Sequence, residues 1–523
     1  MKKIKFLCLF MLAFLVGASY VSAETIQSRI DAANGNVTIE LDNNYTENIK
    51  VSGNKNVTLD LKGYTLTGNI EVNTGSLTVN DSTNKGKIIS SNNIPVSNGK
   101  FTLNSGNIET SNYGIYGKDD SLITINGGSI KTGDYACLGS NNTTGDATFI
   151  INGGTLTANW QTIYIANPVG VTIKGGTLNG GIAMRMGKLN ISGGVINATI
   201  ANANEFDNIR DYYALNDGYA WTADAIHVMG GTYSTNSSKG NALEMNITGG
   251  TIKVENGLGS AVVVYDIGRV EQNITINISK EAKLLTNSTS RNAFDVLSLS
   301  DIGVTNPKTG YGTYTGKVKT NIIGGVYSDE PEETQIPEGY SAYQVIAGEN
   351  EDKYVVVKEE ELEVVVLGDI AKKEDLETVD VNLIEKAIKD KYNLASFYEI
   401  AAVLATPNED VVDIVEETTE PVEITVNLPQ NLPTVKDGYV RKYYIVRVHN
   451  GETTIIDDVK DNGNGTITFN SDKFSTYALA YNDVVKTTSS PNTFDGISIY
   501  IITFIISTAL ILLGSKKLNK RFN

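Results

Sequence analysis

Ile125-Asn126-Gly127-Gly128-Ser129-Ile130 and Ile151-Asn152-Gly153-Gly154-Thr155-Leu156 share one pattern, a Gly-Gly pair between two short β-favouring stretches. The pattern returns at Ile173-Lys174-Gly175-Gly176-Thr177-Leu178, Ile191-Ser192-Gly193-Gly194-Val195-Ile196 and Ile247-Thr248-Gly249-Gly250-Thr251-Ile252. Looser forms stand at Gly230-Gly231-Thr232-Tyr233 and Gly324-Gly325-Val326-Tyr327. Successive second glycines at 128, 154, 176 and 194 are 26, 22 and 18 residues apart. That is the length of one coil of a parallel β-helix and too long for a hairpin meander. In such a coil alternate Ile, Leu and Val point inward. The Gly pair turns the chain where a side chain would clash or where φ is positive. Asn or Thr beside the pair can satisfy turn backbone groups, and Asn stacked coil on coil can form ladders. No coil buries its apolar face alone, so the stack needs caps.

Working outward, a cap is legible before the first coil. Thr25 to Ala33 reads as a short helix with Ile26, Ile30 and Ala33 on one face and Gly35 at its end. Strand-like Val37-Thr38-Ile39-Glu40-Leu41 and Val57-Thr58-Leu59-Asp60-Leu61 follow. This entry, with Leu59-Asp60-Leu61-Lys62-Gly63-Tyr64-Thr65-Leu66 and the later repeats, resembles the pectate-lyase-like repeat regions of bacterial surface adhesins. The resemblance covers roughly residues 24–357 and implies a right-handed parallel β-helix.

The repeat is interrupted once, because Gly194 and Gly231 are 37 residues apart. The interruption, residues 201–229, holds Glu205, Asp207, Arg210, Asp211, Tyr212, Tyr213, Asp217, Tyr219, Trp221, Asp224 and His227. Aromatic rings among carboxylates suit a sugar-binding groove, with rings stacking on the sugar and carboxylates bonding its hydroxyls. Arg210, Asp211, Tyr212, Tyr213, Tyr219 and Trp221 are the candidate glycan-binding residues. The competing reading is a loop that packs its own aromatics on the side of the coils. Trp160 with Tyr164 is a weaker candidate of the same kind, and His227, between Ile226 and Val228, reads as structural. β-Helical lyases and hydrolases need calcium-binding carboxylates, a basic residue acting as base, or paired acids. The regular coils carry Asn, Thr, Ser and Gly instead, so neither catalytic residues nor a metal or cofactor are expected.

Near residue 330 the composition shifts to an acidic stretch with Pro331. Tyr354-Val355-Val356-Val357 reads as a last strand of the coils, and residues 358–482 as a separate small β-sandwich-like domain. Within it Val381, Ile384, Ile388 and Tyr392 have helical spacing, with Glu385 and Lys389 placed for an i,i+4 pair. Strands are expected at Val422–Val426, Tyr443–His449, Thr453–Ile456, Thr466–Phe469 and Ser475–Ala480. Asn450-Gly451 between two alternating runs predicts a tight hairpin, with His449 an exposed strand end. Arg441-Lys442-Tyr443-Tyr444, Val448-His449-Asn450-Gly451-Glu452 and Asp472-Lys473-Phe474-Ser475-Thr476-Tyr477-Ala478 resemble a domain often placed before the anchor in Firmicute surface proteins. The resemblance implies a spacer without an active site.

The two ends read as an address. Lys2, Lys3 and Lys5, the apolar run Phe6–Ala18 and Val21-Ser22-Ala23 form a secretory signal over residues 1–23, with cleavage between Ala23 and Glu24. Ile497–Gly514 is almost wholly apolar, and as a helix would be about 27 Å long, close to a bilayer core. Lys516, Lys517, Lys520 and Arg521 follow it and would stay cytoplasmic. Before it stands Ser490-Pro491-Asn492-Thr493-Phe494-Asp495, joined to the spacer by the polar link 483–489. The whole tail resembles a sortase cell-wall sorting signal, whose usual pentapeptide is Leu-Pro-x-Thr-Gly. Pro491 and Thr493 match, while Ser490 and Phe494 replace Leu and Gly, which implies a sortase reading a Pro-x-Thr-x-Asp form. In that chemistry a sortase thiol attacks the Thr493 carbonyl and a peptidoglycan amine resolves the acyl-enzyme.

Composition agrees with an exported chain. The formal charge is −17 over 523 residues, and removing Lys2, Lys3 and Lys5 with the signal takes it to −20. Such acidity argues against nucleic acid as a partner and against direct adhesion of the chain as a whole to anionic lipid. Cys8 lies in the signal and Cys137 is alone thereafter, so no intrachain disulfide forms. The expected protein is a cell-surface, wall-anchored adhesin-like binder of host or microbial glycans or proteins. Its expected partners are sortase, peptidoglycan and, before sorting, the membrane. Two alternatives are a wall-attached polysaccharide lyase or glycoside hydrolase with its site near 201–229, and a structural stalk with no discrete ligand.

Overall fold

The computed structural model describes residues 24–133, 136–141, 147–198, 223–231, 241–266, 268–304, 310, 312–314 and 317–486. The expected signal with Ala23, the six candidate residues Arg210, Asp211, Tyr212, Tyr213, Tyr219 and Trp221, and the whole of 487–523 lie outside them. Among the described residues no helix is long and apolar enough to cross a membrane. The chain divides into two units between Glu338 and Gly339.

The first unit is mainly β, a parallel and β-helix-like stack. Strands one coil apart pair in parallel, in three ladders. The first runs through Asn36–Glu40, Asn56–Asp60, Ser76–Asn80, Lys100–Leu103, Leu122–Ile125, Thr148–Ile151 and onward to Lys317–Ile322. The second begins at Thr65–Thr67, Lys87–Ser90, Asn107–Thr110 and Ser129–Thr132. The third includes Ile94–Ser97, Ile115–Lys118, Ile226–Gly230, Val262–Asp266 and Phe294–Ser298. Alternation decides the packing, as in any strand buried on one side. Val57, Leu59, Leu77, Val79, Phe101, Leu103, Ile123 and Ile125 are fully or almost fully buried in successive coils. Between them Thr58, Thr78, Thr102 and Thr124 pair in register on the outer side.

The Gly-Gly pairs form the corner from the first ladder to the second. Gly128, Gly154, Gly176, Gly194 and Gly250 all have positive φ, between 70° and 90°. The first glycines fail differently: a Cβ on Gly127, Gly153 or Gly175 would lie 2.5–2.7 Å from the carbonyl oxygen of the coil before. Both glycines are therefore needed. Beside them the Asn ladder expected from the sequence forms. Asn104 Nδ2 donates to Asn80 Oδ1 at 2.9 Å, Asn126 to Asn104 at 2.8 Å, and Asn152 to Asn126 at 2.7 Å. A second ladder joins Asn190, Asn246 and Asn277 at 2.9 and 2.7 Å.

The helix Ile26–Ala32 closes the stack, with the Thr25 hydroxyl accepting from the Ser28 amide. Ile26 and Ile30 are buried, as the cap reading expected, and Ala33 ends the helix. The Glu47 carboxylate accepts from the Ile26 and Gln27 amides at 2.9 and 3.1 Å, holding the helix N-terminus against the first coil.

In the early coils, which lack the Gly-Gly pair, a side chain does the turning. Asp81 Oδ2 accepts from the Gly86 amide at 2.5 Å, and Oδ1 from the Gly63 amide at 2.8 Å and the Thr83 hydroxyl at 3.0 Å. Burial pushes the Asp81 carboxyl up, but the bonds from Gly86, Thr83 and Gly63 outweigh it and hold the group below the usual carboxylate range. A depressed carboxyl contributes stability above its unfolded pKa and loses it as pH falls through the folded value. We expect Asp81→Asn to cost about 2 kcal/mol at pH 7. The gap to the parent should close below about pH 4 in thermal unfolding scans.

In the second unit one antiparallel sheet runs Glu363–Ala371, Asn393–Ala405, Thr476–Val485, Tyr439–His449, Glu452–Ile456. Its two faces take alternate residues. Phe397, Val446, Val448, Ala478 and Ala480 meet Val381, Ile384 and Ile388 of the helix Thr378–Ile388. The small Ala478 and Ala480 leave room for that helix. Tyr398, Ile400, Ile445, Tyr477 and Leu479 meet Ile424, Val426, Ile467 and Phe469 of a second, three-stranded sheet. The hairpin forms at Asn450 and Gly451, both with positive φ. Two expectations are corrected. His449 is buried rather than exposed, its Nε2 lying 3.0 Å from Glu417 Oε1. Glu385 pairs with Lys373, while Lys389 caps the helix. Tyr354-Val355-Val356-Val357, read from sequence as a last strand of the coils, lies in the strand Tyr354–Lys358, which pairs antiparallel with Tyr340–Gln344.

Candidate ligand-binding edge

The corner from the second ladder to the third carries a groove and, farther along the stack, a buried polar network. In the early coils it is a groove of about 470 Å3. Asn48, Asn69, Ser91 and Ser111 line one side of it, and Thr67, Ile89 and Glu109 the other. The second-ladder residues are in register, Thr67 with Ile89 and Ile89 with Glu109. Gly68 shapes the floor: a Cβ there would stand 1.9 Å from the Glu47 carbonyl oxygen. Asn69 Oδ1 accepts from the Ser90 and Ser91 hydroxyls at 3.2 and 3.3 Å and from Asn92 Nδ2 at 3.4 Å, and the Asn69 amide bonds Asn48 Oδ1 at 2.8 Å. These three side-chain bonds are long and share one acceptor, so a ligand hydroxyl can compete for their donors. Ile89 is 37% exposed and gives the groove one aliphatic surface. Its one full charge, Glu109, is neutralised by Lys87 at 2.7 Å. Amides, hydroxyls and an aliphatic patch without net charge suit a neutral, hydroxyl-rich ligand.

In the later coils the same corner gives rise to the long interruption. Residue 198 leaves the second ladder and Ile226 enters the third. Arg210, Asp211, Tyr212, Tyr213, Tyr219 and Trp221 belong to this segment, outside the described residues. Its return is held by a buried polar network. Asp224 Oδ2 accepts from the Tyr265 hydroxyl at 2.6 Å, and Oδ1 from the Ser260 amide at 2.7 Å. Arg291 Nη2 donates to the Tyr265 hydroxyl at 3.2 Å and lies 3.7 Å from Asp224 Oδ1. Arg291 Nε sits 3.3 Å from Asp295 Oδ2, which also accepts from the Ser260 hydroxyl at 2.6 Å. Asp224, Tyr265 and Ser260 are at most 1% exposed. Burial lowers the Arg291 pKa, but Tyr265, Asp224 and Asp295 beside it raise it, with a net rise, so the guanidinium stays charged.

Sequence reading named Asp224 but not its partners. Ser260, Tyr265, Arg291 and Asp295 come from two later coils, and their only shared signal is the position before or within a third-ladder strand. Two acids and an arginine meet here, the constellation a hydrolase would need, but their polar atoms are turned on one another inside the wall of the stack. Among the described residues no group of three or more His, Cys, Asp or Glu could hold a metal ion.

The remaining sequence candidates are placed as follows. His227 is 1% exposed, and burial with the nearby Arg185 charge lowers its pKa to about 3, so it is neutral. Tyr164 is 5% exposed, with Arg185 5.8 Å from its ring centroid. The Trp160 side chain is outside the described residues. Cys137 is fully buried, its thiol pushed up to about 12 by burial, which makes it inert. Glu24 is exposed at the foot of the cap helix. Ser490, Pro491, Asn492, Thr493, Phe494 and Asp495 lie outside the described residues. No protein-family model matches the chain, and neither the curated proteins nor the solved structures hold a match to it.

Proposed function

We propose that this chain is a cell-surface, wall-anchored adhesin-like protein whose coil stack presents one edge to neutral glycans or hydroxyl-rich segments of proteins. The observation that carries the reading is that the uncharged groove lies at the corner between the second and third ladders, the same corner at which the chain leaves the coils after residue 198 and re-enters them at Ile226. In this reading the coils are right-handed, residues 1–23 direct export, and 497–514 span the membrane of the precursor. A sortase then cleaves the Thr493–Phe494 peptide bond, releasing residues 494–523 with a free amine, and passes the Thr493 acyl group from its thiol to a peptidoglycan amine. The second unit serves as the spacer.

The test is whole cells expressing the full chain, laid on a glycan array beside cells expressing Asn69→Lys/Ser91→Lys and cells lacking 201–221. Retention on a subset of neutral glycans, lost at least about tenfold in both variants, is expected, since each replaces hydrogen-bonding or stacking groups worth 1–3 kcal/mol. Equal retention of all three strains sinks the reading. Mass spectrometry of wall extracts should show Thr493 amide-linked to a wall fragment. An intact C-terminus would replace the covalent anchor by a plain membrane span.

A further inference from the structure

The exit end of the second unit is built unlike the rest of it. Tyr439–Val448 pairs with Thr476–Val485 along its whole length, but the outer neighbours stop short. Asn393–Ala405 reaches Thr476–Val485 only as far as Tyr481, and Glu452–Ile456 reaches Tyr439–His449 only from Ile445. Tyr439–Lys442 and Asn482–Val485 are therefore a two-stranded ribbon projecting past the sheet, with no further strand beside it among the described residues. Its tip is apolar on both faces. Tyr439 lies opposite Val485 and Val440 opposite Val484. Tyr439, Val440 and Val485 are 38%, 44% and 65% exposed, which is costly in water without a partner.

Charge singles out the same tip. In a chain of net charge −17 it carries exposed Lys436, Lys442 and Lys486 against one exposed acid, Asp437. Arg441 and Asp483 neutralise each other through two bonds of 2.8 Å. Lys486, whose amide bonds the Gly438 carbonyl, is where the chain leaves toward the apolar run beginning at Ile497. Eleven residues reach at most about 40 Å, so the ribbon cannot move far from whatever holds that run.

We propose that this ribbon tip docks on the lipid surface of the membrane that holds the precursor, with Tyr439, Val440 and Val485 at the headgroup boundary and Lys436, Lys442 and Lys486 on anionic headgroups. The inference rests on residues 497–514 being a span. Tyr and Val flanked by Lys is the composition that favours the interface over water or hydrocarbon. Docking sets Lys486 at the membrane surface, seven residues before Thr493, within reach of a membrane-bound enzyme.

The experiment uses the full chain in a Cys8→Ser background, reconstituted into vesicles of phosphatidylcholine with and without phosphatidylglycerol. An environment-sensitive fluorophore is placed at Val485→Cys or, as control, at Glu452→Cys, which lies opposite His449 at the far end of the ribbon's longer strand. Cys137 is buried and does not compete for label. Co-flotation with lipid, a blue shift and quenching by headgroup-depth spin label at 485 but not at 452 are expected. Lys436→Glu/Lys442→Glu/Lys486→Glu should cut that quenching at least about tenfold in anionic vesicles. Co-flotation with 485 as unquenched as 452 overturns the docking and leaves the span standing. Failure to co-float removes the span and the docking together. A blue shift that needs no lipid and grows with protein concentration assigns the tip to a second copy of the chain and also overturns the proposal.

Discussion

Gly128→Val should cost about 3–5 kcal/mol and lower the thermal midpoint of the first unit by more than any other single substitution in the Gly-Gly turns. Two penalties meet at this position. Its φ is +70°, where a β-branched side chain is strained by about 1–2 kcal/mol. Its Cβ would stand 2.3 Å from the Gly106 carbonyl oxygen, which accepts from the Ser129 amide at 2.9 Å and cannot retreat without breaking that ladder bond. The two terms separate in controls. Gly463→Ala has φ +73° with nothing within 4 Å, and tests the backbone term alone, about 1 kcal/mol. Gly127→Ala carries only the clash, at 2.5 Å from the Asn104 carbonyl oxygen. Gly170→Ala has open space around it and should be neutral or stabilising by about 0.5 kcal/mol. Because each coil contacts only its neighbours, hydrogen exchange in the Gly128 variant should rise first at Asn107–Thr110 and Ser129–Thr132. Equal midpoints for the Gly128→Val and Gly170→Ala proteins would show that the turn is not what limits coil stacking.

The Gly-Gly turns were legible because a stacked turn constrains two adjacent residues in two different ways, and only glycine meets both. The same logic explains where reading stopped. The early corners use Asp81 with Gly86, and Ser105 with Gly106, so the same fold is written there in residues that do not repeat. Asn126 and Asn152 were legible as ladder positions because each sits one residue before the pair, whereas Asn104 precedes Ser105-Gly106 and joins them only through the register. The groove at Asn48, Asn69, Ser91 and Ser111 was not, since Asn and Ser are common in every turn of this chain and only the register of the second ladder aligns them. His449 was misread for a related reason. A residue beside a hairpin turn is usually solvated, but Glu417 arrives from a strand of the second sheet, more than thirty residues away in sequence, and its Oε1 lies 3.0 Å from the His449 Nε2.

Arg291→Leu is expected to destabilise the first unit by about 3–5 kcal/mol, although Arg291 is neither in the core nor in a repeat. Among the described residues the guanidinium is a cation that faces both Asp224 and Asp295, which are nearly fully buried. Removing it leaves two acids in a medium that solvates charge poorly, and the Tyr265 hydroxyl loses a donor it receives at 3.2 Å. The cost is then one of stranded charge rather than of a lost bond, and that distinction is measurable. Asp224→Asn/Asp295→Asn added to Arg291→Leu should recover at least about half of the loss, because neutral amides are far cheaper to bury than unpaired carboxylates. If the triple variant is as unstable as Arg291→Leu alone, packing of the arginine stem and not its charge holds the wall. A functional consequence follows from position. Asp224 stands three residues after Trp221, at the return of the aromatic-rich segment into the third ladder. Loosening this root should therefore expose the 223–231 backbone to hydrogen exchange and lower glycan retention by intact cells, while the groove at Asn69 and Ser91, several coils away, keeps its protection. Exchange rising equally at both places would mean that the two stretches of the edge unfold as one unit, and that the ligand surface is a single cooperative element rather than two joined along an axis.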